Sequence, residues 1–275
     1  MSTQRESQGD RAVIEVRNLT KEYGTSRKVR HGQSALVAVS DVSFSIRENE
    51  IVSLVGESGC GKTTIARMIL HVIKPSSGSI VFDGKEVQHY SERQFRSFRG
   101  DVQMIYQNPF DCLNPSKHIA SLLDEPLRLW HSHLSPAERR HRMVDMLEQC
   151  GLDAACLEKR PPEFSGGQLQ RISIARALLV RPRLLVADEI VSALDVPIQN
   201  QILQLLLDMK DEYRFSTLFI THDLAVARKV SDRVIIMNRG SIVDEGPIEE
   251  VLDHSNEPYV RKLAESSFTF RGCAD

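Results

Sequence analysis

One strand–loop–helix pattern constrains the fold of this chain more than any other feature. The apolar run Ile51–Val55 is followed at once by a glycine-rich loop, and apolar residues then recur at helical spacing between Thr63 and Val72. The loop consists of Gly56, Glu57, Ser58, Gly59, Cys60, Gly61, Lys62, Thr63 and Thr64. Its glycines let several backbone N–H groups point at one anion, and the helix adds the positive end of its dipole. The pattern therefore predicts an α/β fold with a phosphate-binding loop.

Two side chains of this loop carry the chemistry of nucleotide hydrolysis. In loops of the form Gly-x-x-x-x-Gly-Lys-Thr, the lysine ammonium reaches the terminal phosphates and the threonine hydroxyl binds Mg²⁺. Lys62 and Thr63 hold these two positions. We therefore expect the loop to bind a nucleotide and Mg²⁺, with Lys62 as a catalytic cation and Thr63 as a metal ligand.

The rest of the chain has the organisation of an α/β protein. Short apolar runs, at 102–106, 184–187, 217–220 and 234–237, alternate with longer helical patterns, which is typical of a mostly parallel sheet. The first fifty residues instead contain runs that alternate apolar and polar residues, as half-exposed antiparallel strands do. Residues 108–162 show helical periodicity, with Ser135 as a start signal and Gly151 as a stop signal. We expect a P-loop NTPase core with an antiparallel β N-terminal subdomain and an inserted α-helical subdomain.

These patterns predict one principal domain with short additions at its ends. Residues 1–12 are expected to form a disordered tail, and residues 13–263 a single ATPase domain. Within that domain the core comprises 13–107 and 183–246, and the helical insertion comprises 108–182. Residues 247–275 are expected to form a short C-terminal helical extension.

Composition excludes several classes of protein. A net charge of −2 argues against nucleic acid as a partner. No apolar run approaches the ~18 residues of a membrane-spanning helix, and the polar residues 1–10 do not resemble a signal peptide. Five irregularly spaced cysteines fit a reducing compartment and argue against a structural metal site. The expected location is therefore the cytoplasm.

Several polar groups follow predicted strands at the positions where ligands bind in open parallel sheets. They are Gln107, the pair Asp188 and Glu189, and His222. Because the carboxyl ends of parallel strands share one edge, we expect these groups and the phosphate loop to form one site. Asp188 and Gln107 are the predicted Mg²⁺ ligands, and Glu189 is the predicted general base that polarises the attacking water. Gln107 is also expected to contact that water, and His222 to contact the terminal phosphate or to orient the water.

A second glycine-rich segment opens a predicted helix. It consists of Ser165, Gly166, Gly167 and Gln168. The serine can cap the helix, and the glycines permit the close approach of another molecule's phosphate. Taken alone, the four residues also fit an ordinary helix cap.

The order of these motifs resembles that of ATP-binding-cassette (ABC) transporter ATPases. The phosphate loop corresponds to Walker A, 165–168 to the signature and 184–189 to Walker B, with Gln107, 192–195 and His222 in the family order. The resemblance covers about 13–263 and implies that the nucleotide is ATP. It also implies a head-to-tail partner, a second ABC ATPase subunit, identical or homologous, whose ATP is covered by this signature. Asp195 would lie in the loop that touches this partner, and Tyr23 would stack on adenine, although Tyr23 also fits an ordinary edge strand.

A narrower resemblance concerns the transported cargo. Residues 106–110, 113–115, 191–196 and 256–260 are similar to dipeptide, oligopeptide and nickel importer ATPases. This resemblance implies an ATP-hydrolysing subunit at the cytoplasmic face of the inner membrane, bound to two transmembrane permease subunits near residues 108–115. An extracytoplasmic substrate-binding protein would deliver the cargo, expected to be a peptide, with nickel or another small solute as the alternative.

One residue departs from the family pattern. Ile190 stands where most relatives have proline after the Walker B glutamate. Because proline fixes φ, isoleucine is expected to loosen the turn that leads to Asp195.

Two other functions remain as alternatives. Soluble ABC ATPases of translation or DNA repair usually carry two cassettes or long coiled coils, whereas this chain has one Walker A motif and no sustained heptads. A subunit with a degenerate site would lack catalytic groups, whereas Glu189 and His222 are both present. The leading interpretation is therefore an active ATPase that powers a peptide importer.

Overall fold

The computed structural model describes residues 11–24, 36–96 and 98–269. Its strands are β1 (Ala12–Tyr23), β2 (Leu36–Arg47), β3 (Ile51–Val55), β4 (Ser77–Phe82), β5 (Lys85–Glu86), β6 (Val102–Ile105), β7 (Leu184–Asp188), β8 (Ser216–Thr221), β9 (Arg233–Asn238) and β10 (Ser241–Pro247). Its helices are α1 (Lys62–Ile69), α2 (Glu92–Phe95), α3 (Ile119–Trp130), α4 (Pro136–Gln149), α5 (Gly166–Leu178), α6 (Val196–Tyr213), α7 (Leu224–Val230), α8 (Ile248–His254) and α9 (Pro258–Thr269). Short 3₁₀ helices cover Pro109–Asp111, Ala154–Glu158 and Pro161–Glu163. Within the described ranges, no helix is both long enough and apolar enough to cross a bilayer.

The chain folds as two compact units. The first comprises Met1–Phe95 with Ser216–Asp275, and the second comprises Arg96–Phe215. The predicted helical insertion, 108–182, falls inside the second unit, which also takes in β6, β7 and α6. Most of the predicted tail lies outside the described residues, and β1 already begins at Ala12. The predicted C-terminal extension contains α8 and α9, and its last residues, 270–275, also lie outside the described part of the chain.

The first unit contains two kinds of sheet. In one, the strands are antiparallel in the order β2-β1-β4-β5, as the alternating pattern of the first fifty residues predicts. In the other, β3 pairs in parallel with both β8 and β9, and β10 adds an antiparallel strand to β9. All five residues of β3 are buried, which is expected of a parallel strand covered on both faces.

The start of β3 is held in register by polar contacts to β9. The Asp232 carboxylate accepts from the Ile51 N–H at 2.7 Å, and the Ile51 carbonyl accepts from the Asp232 N–H at 2.9 Å. Arg233 donates to the buried Glu50 carboxylate at 3.2 Å. These bonds fix the start of β3, and the glycine-rich loop follows the other end of the strand.

The second unit combines a parallel strand pair with helices. β6 and β7 pair in parallel, with Ile105 opposite Ala187. Ser135 caps α4 through a complete capping box, and Gly151 follows the helix with a left-handed φ of +73°, which confirms both predicted helix signals. α5 is buried along most of its length, so it is the central helix of this unit.

Candidate nucleotide site

Lys62 is the first residue of α1, and its side chain folds back over the glycine-rich loop. The residue is 5% exposed. Its Nζ donates to the carbonyl oxygens of Gly56 at 2.7 Å and Glu57 at 3.0 Å. In the part of the chain that the structure describes, these carbonyls and the Cys60 thiol at 3.8 Å are its partners. A buried cation compensated only by neutral groups is costly, so this position fits an anionic ligand such as a phosphate group.

Two glycines of the loop are required by close packing. A Cβ atom at Gly56 would collide with the carbonyl oxygen of Met237 on β9. Gly61 has a left-handed φ of +112°, and a Cβ atom there would stand 2.5 Å from the carbonyl oxygen of Ala38 on β2. Gly61 also caps α1 without a side-chain acceptor, so among the described residues no side-chain cap occupies the N–H groups of the first helical turn, which suit an external acceptor. The loop is therefore tightly fixed at both ends and suited to bind an anion between them.

His222 lies beside the loop within the first unit. β3 and β8 are neighbours, with Val55 opposite Thr221, so Gly56 and His222 follow adjacent strand ends. The turn that carries His222 is fixed on both sides: the Asp223 N–H donates to Thr221 Oγ1 at 3.0 Å, and Asp223 caps α7. The His222 side chain is exposed at this edge.

Gln107 and Glu189 are linked directly in the second unit. Gln107 Nε2 donates to Glu189 Oε2 at 3.2 Å and to Ser192 Oγ at 3.2 Å. Because its amide nitrogen makes these bonds, its amide oxygen is the atom of the group that can bind a cation. Asp188, at the end of β7, is 8% exposed. Glu189 has a left-handed φ of +50°, which is uncommon for a residue with a Cβ atom and marks a constrained position.

The turn after Glu189 is closed despite the isoleucine. The Glu189 carbonyl accepts from the Ser192 N–H at 3.1 Å and from Ser192 Oγ at 2.9 Å. Ile190 is 2% exposed, so its side chain packs into the protein. Burial of the Ile190 side chain and the two bonds from Ser192 oppose loosening of this turn. The effect of isoleucine in place of proline stays a prediction.

The signature residues form a capped helix start that faces solvent. Ser165 Oγ accepts from the Gln168 N–H at 3.4 Å, and Gln168 Oε1 accepts from the Ser165 N–H at 3.0 Å. This reciprocal pair is a complete capping box. Ser165, Gly166 and Gln168 are all exposed. The cap orders the segment and leaves its outer face accessible.

Packing within this chain already requires glycine at position 167. A Cβ atom at Gly167 would stand 2.7 Å from Ile198 Cγ2 of α6 in the same unit. At Gly166 a Cβ atom would meet Leu194 Cδ2 at 3.7 Å, an ordinary contact. The prediction that both glycines serve the approach of another molecule is therefore incomplete, because the chain's own packing already requires glycine at 167.

Asp195 and Tyr23 both lie at the ends of secondary-structure elements. Asp195 is the exposed N-cap of α6, and its Oδ1 accepts from the Ile198 N–H at 3.0 Å. Tyr23 is the last residue of β1, and it is 41% exposed. Lys21 Nζ lies 5.3 Å from the centroid of its ring. The adenine and partner contacts of these two residues stay predictions.

Two contributors were missed by reasoning from the sequence. Ser192 binds Gln107 and closes the turn after Glu189. Tyr259, on α9, accepts from the N–H of Glu57 in the phosphate loop at 3.3 Å. Both lie in segments that carried the narrower family resemblance, 191–196 and 256–260, which was the available signal.

That all of the site residues serve one nucleotide stays a prediction.

Known proteins resemble this chain over most of its length. A family model described as ABC transporter matches residues 39–192, more than half of the chain. The di/tripeptide transport ATP-binding protein DppF of Pseudomonas aeruginosa (strain UCBPP-PA14) is 43% identical over 251 residues, covering 91% of this chain and 77% of that protein. The oligopeptide transport ATP-binding protein OppF of Haemophilus influenzae (strain ATCC 51907 / DSM 11121 / KW20 / Rd) is 41% identical over 258 residues, covering 91% of this chain and 76% of that protein. Among solved structures, the dimeric post-hydrolysis state of the ATP-binding cassette MJ0796 bound to ADP and Pi has a TM-score of 0.75 and 30% identity, covering 86% of this chain and 98% of that one. The chain therefore belongs to the ABC transporter family.

Proposed function

We propose that this chain is the ATP-binding and ATP-hydrolysing subunit of a peptide importer. The observation that carries this proposal is its likeness, over 91% of its length, to the di/tripeptide transport ATP-binding protein DppF and the oligopeptide transport ATP-binding protein OppF. The catalytic groups of an active ATPase, including Glu189 and His222, are all present. The motifs thus support an active subunit, and the relatives support peptides as the cargo.

ATP binds through the phosphate loop, residues 56–64, in this proposal. The buried Lys62 ammonium, held only by neutral groups in the described structure, gains an anionic partner when phosphate binds. The uncapped first turn of α1 supplies further N–H donors. The exposed ring of Tyr23 is available to stack on adenine.

Three oxygen-bearing side chains would hold Mg²⁺: the Thr63 hydroxyl, the Asp188 carboxylate and the Gln107 amide. Mg²⁺ prefers hard oxygen ligands, and each of these groups offers one. When bound, the ion neutralises charge on the phosphates. Within the second unit, Gln107 can serve the ion through its oxygen because its nitrogen is already bonded to Glu189 and Ser192.

Glu189 acts as the general base toward the attacking water. Its carboxylate is oriented by the amide of Gln107, and its backbone is fixed by the closed turn to Ser192. A base that is already oriented does not have to be ordered during the reaction. His222 contacts the terminal phosphate or orients the water from its fixed turn after β8.

A second ABC ATPase subunit completes each site. The exposed residues Ser165, Gly166 and Gln168, with the exposed Asp195, form the surface that meets the partner's nucleotide. The structural relative MJ0796 is described as dimeric. ATP favours the closed dimer because it contacts both subunits there, and hydrolysis removes this preference, so the dimer reopens.

The chain works at the cytoplasmic face of the inner membrane, on two transmembrane permease subunits. Residues 108–115 are the proposed contact, and Phe110 in the 3₁₀ helix Pro109–Asp111 is 45% exposed. An exposed aromatic side chain is a suitable anchor for a partner. An extracytoplasmic substrate-binding protein delivers the peptide to the permeases.

Purification of the tagged chain from detergent-solubilised membranes tests this proposal. We expect two permease subunits and a second ATPase subunit, or a second copy of this chain, to copurify. Recovery without any membrane protein, in company with ribosomes or repair factors, would instead favour a soluble ABC ATPase. In the reconstituted complex, stimulation of ATP hydrolysis by peptide-loaded binding protein, compared with nickel, identifies the cargo.

A further inference from the structure

The C-terminal helix α9 contacts the phosphate loop through one hydroxyl group. The backbone N–H of Glu57 donates to Tyr259 Oη at 3.3 Å. Burial is the main factor that raises the pKa of the Tyr259 hydroxyl, so the group stays protonated at neutral pH. None of the functions proposed above uses this contact.

The contact fixes one particular peptide unit. The N–H of Glu57 and the carbonyl of Gly56 belong to the same peptide bond, which is trans and planar, so they point in opposite directions. Tyr259 binds the N–H side, and Lys62 Nζ binds the carbonyl side at 2.7 Å. Rotation of this peptide would break both bonds together. Tyr259 therefore restrains the carbonyl on which the Lys62 ammonium rests.

Tyr259 can do this because α9 is firmly anchored in the first unit. Its neighbour Val260 is 1% exposed and belongs to an apolar cluster with Val55, Leu224, Ala227, Val234, Ile236, Ile248 and Val251, against which Tyr259 and Leu263 also pack. This cluster includes the last residue of β3 and the first turn of α7. The helix is thus packed directly beneath the strand that leads into the phosphate loop.

The segment that precedes α9 is also held by hydrogen bonds. Arg261 Nε donates to the Ser255 carbonyl at 2.9 Å, and its guanidinium also donates to Asn256 Oδ1 at 3.1 Å. Ser255 Oγ donates to the Asp244 carboxylate on β10. These bonds hold the start of the helix that carries Tyr259.

We propose that Tyr259 is a positioning residue for ATP binding, which acts by holding the Gly56–Glu57 peptide and through it the resting position of Lys62. This inference rests on the proposed function, since it concerns the same ATP site. It adds a role for α9 and for the segment 256–260. A pre-positioned ammonium lowers the ordering cost of binding, so the effect falls on ATP affinity rather than on the chemical step.

The test is Tyr259→Phe, which removes the hydroxyl and keeps the ring in its cluster. Tyr213→Phe is the control for the loss of a tyrosine hydroxyl, because Tyr213 donates to Gln149 Oε1 at 2.5 Å in the second unit. Loss of one long hydrogen bond predicts an increase of about 2- to 5-fold in the Kd for trinitrophenyl-ATP and in the KM for ATP, with kcat unchanged. Hydrogen exchange of the backbone around 56–62 should also become faster in Tyr259→Phe, without nucleotide.

A double-mutant cycle with Lys62→Ala separates this role from a purely structural one. We expect Tyr259→Phe to change affinity in the wild-type background and to have no further effect in the Lys62→Ala background. Equal affinity of wild type and Tyr259→Phe, or an equal loss in both backgrounds, would overturn the inference. Failure of the wild-type chain to bind Mg·ATP at all would instead overturn the proposed function, so the two failures are distinguishable.

Discussion

Gly167→Ala tests whether the signature glycine is required by the chain's own packing. The new methyl group would stand 2.7 Å from Ile198 Cγ2, whereas carbon atoms in good contact are about 3.5–4.0 Å apart. Ile198 is β-branched, so this methyl cannot move without a change of rotamer or of the backbone of α6. Overpacking of this kind costs about 1–3 kcal/mol, and the better helix propensity of alanine returns at most ~1 kcal/mol.

Gly166→Ala is the matched control, one residue away in the same exposed segment. Its methyl group would meet Leu194 Cδ2 at 3.7 Å, which requires no adjustment. Both variants gain the same helix propensity, so the difference between their free energies of unfolding measures the clash, which is about 2 kcal/mol. For a chain of this size that corresponds to roughly 4–8 °C in Tm.

The assay is thermal unfolding of both variants without nucleotide, at a concentration where the chain is monomeric. We expect Gly167→Ala to melt below Gly166→Ala, and Ile198→Ala to remove the cost of the added methyl group. Equal melting temperatures would refute the packing argument. A cost that persists in the Ile198→Ala background would refute it as well.

Three further predictions concern the partner surface and a buried thiol. Ser165→Arg should leave ATP binding by each subunit intact but block ATP-induced dimerisation in light scattering, because it adds a bulky side chain to the exposed helix start; normal dimerisation would contradict this. Burial raises the pKa of the Cys150 thiol from 9.0 to about 12, so alkylation of the native protein at pH 8 should be far slower than after unfolding. The same shift predicts that the Cys150 contribution to stability is intact below pH 9 and is lost as the pH rises toward 12, since the unfolded chain releases the proton first. Denaturant titrations at pH 8 and pH 10 should therefore differ more for the wild type than for Cys150→Ala.

The phosphate loop was predictable because one short motif determines both its backbone and its chemistry. Glycines at 56 and 61 permit the turn, the lysine supplies the charge, and β3 and α1 flank it as predicted. The caps at Ser135 and Ser165 were predictable for the same reason, since the capping box is a local signal.

Other elements could not be recognised locally. β4 and β10 are only partly buried and contain Gly78 and Gly246, so their alternation is weak, and pairing with β1 and β9 fixes them instead. The clash at Gly167 depends on where α6 lies, and the bond from Glu57 to Tyr259 joins residues that are far apart in sequence. Such contacts follow from tertiary packing, which local patterns do not encode.

The role of Glu189 is tested by the rate of phosphate release from Mg·ATP by the purified wild-type assembly and by Glu189→Gln. We predict Mg²⁺-dependent hydrolysis by the wild type. In Glu189→Gln we predict a loss of about 10²- to 10⁴-fold, equivalent to roughly 3–5 kcal/mol of barrier, with ATP binding retained. Comparable hydrolysis by the two proteins would contradict the assignment of Glu189 as the general base, and with it the proposed mechanism of this site.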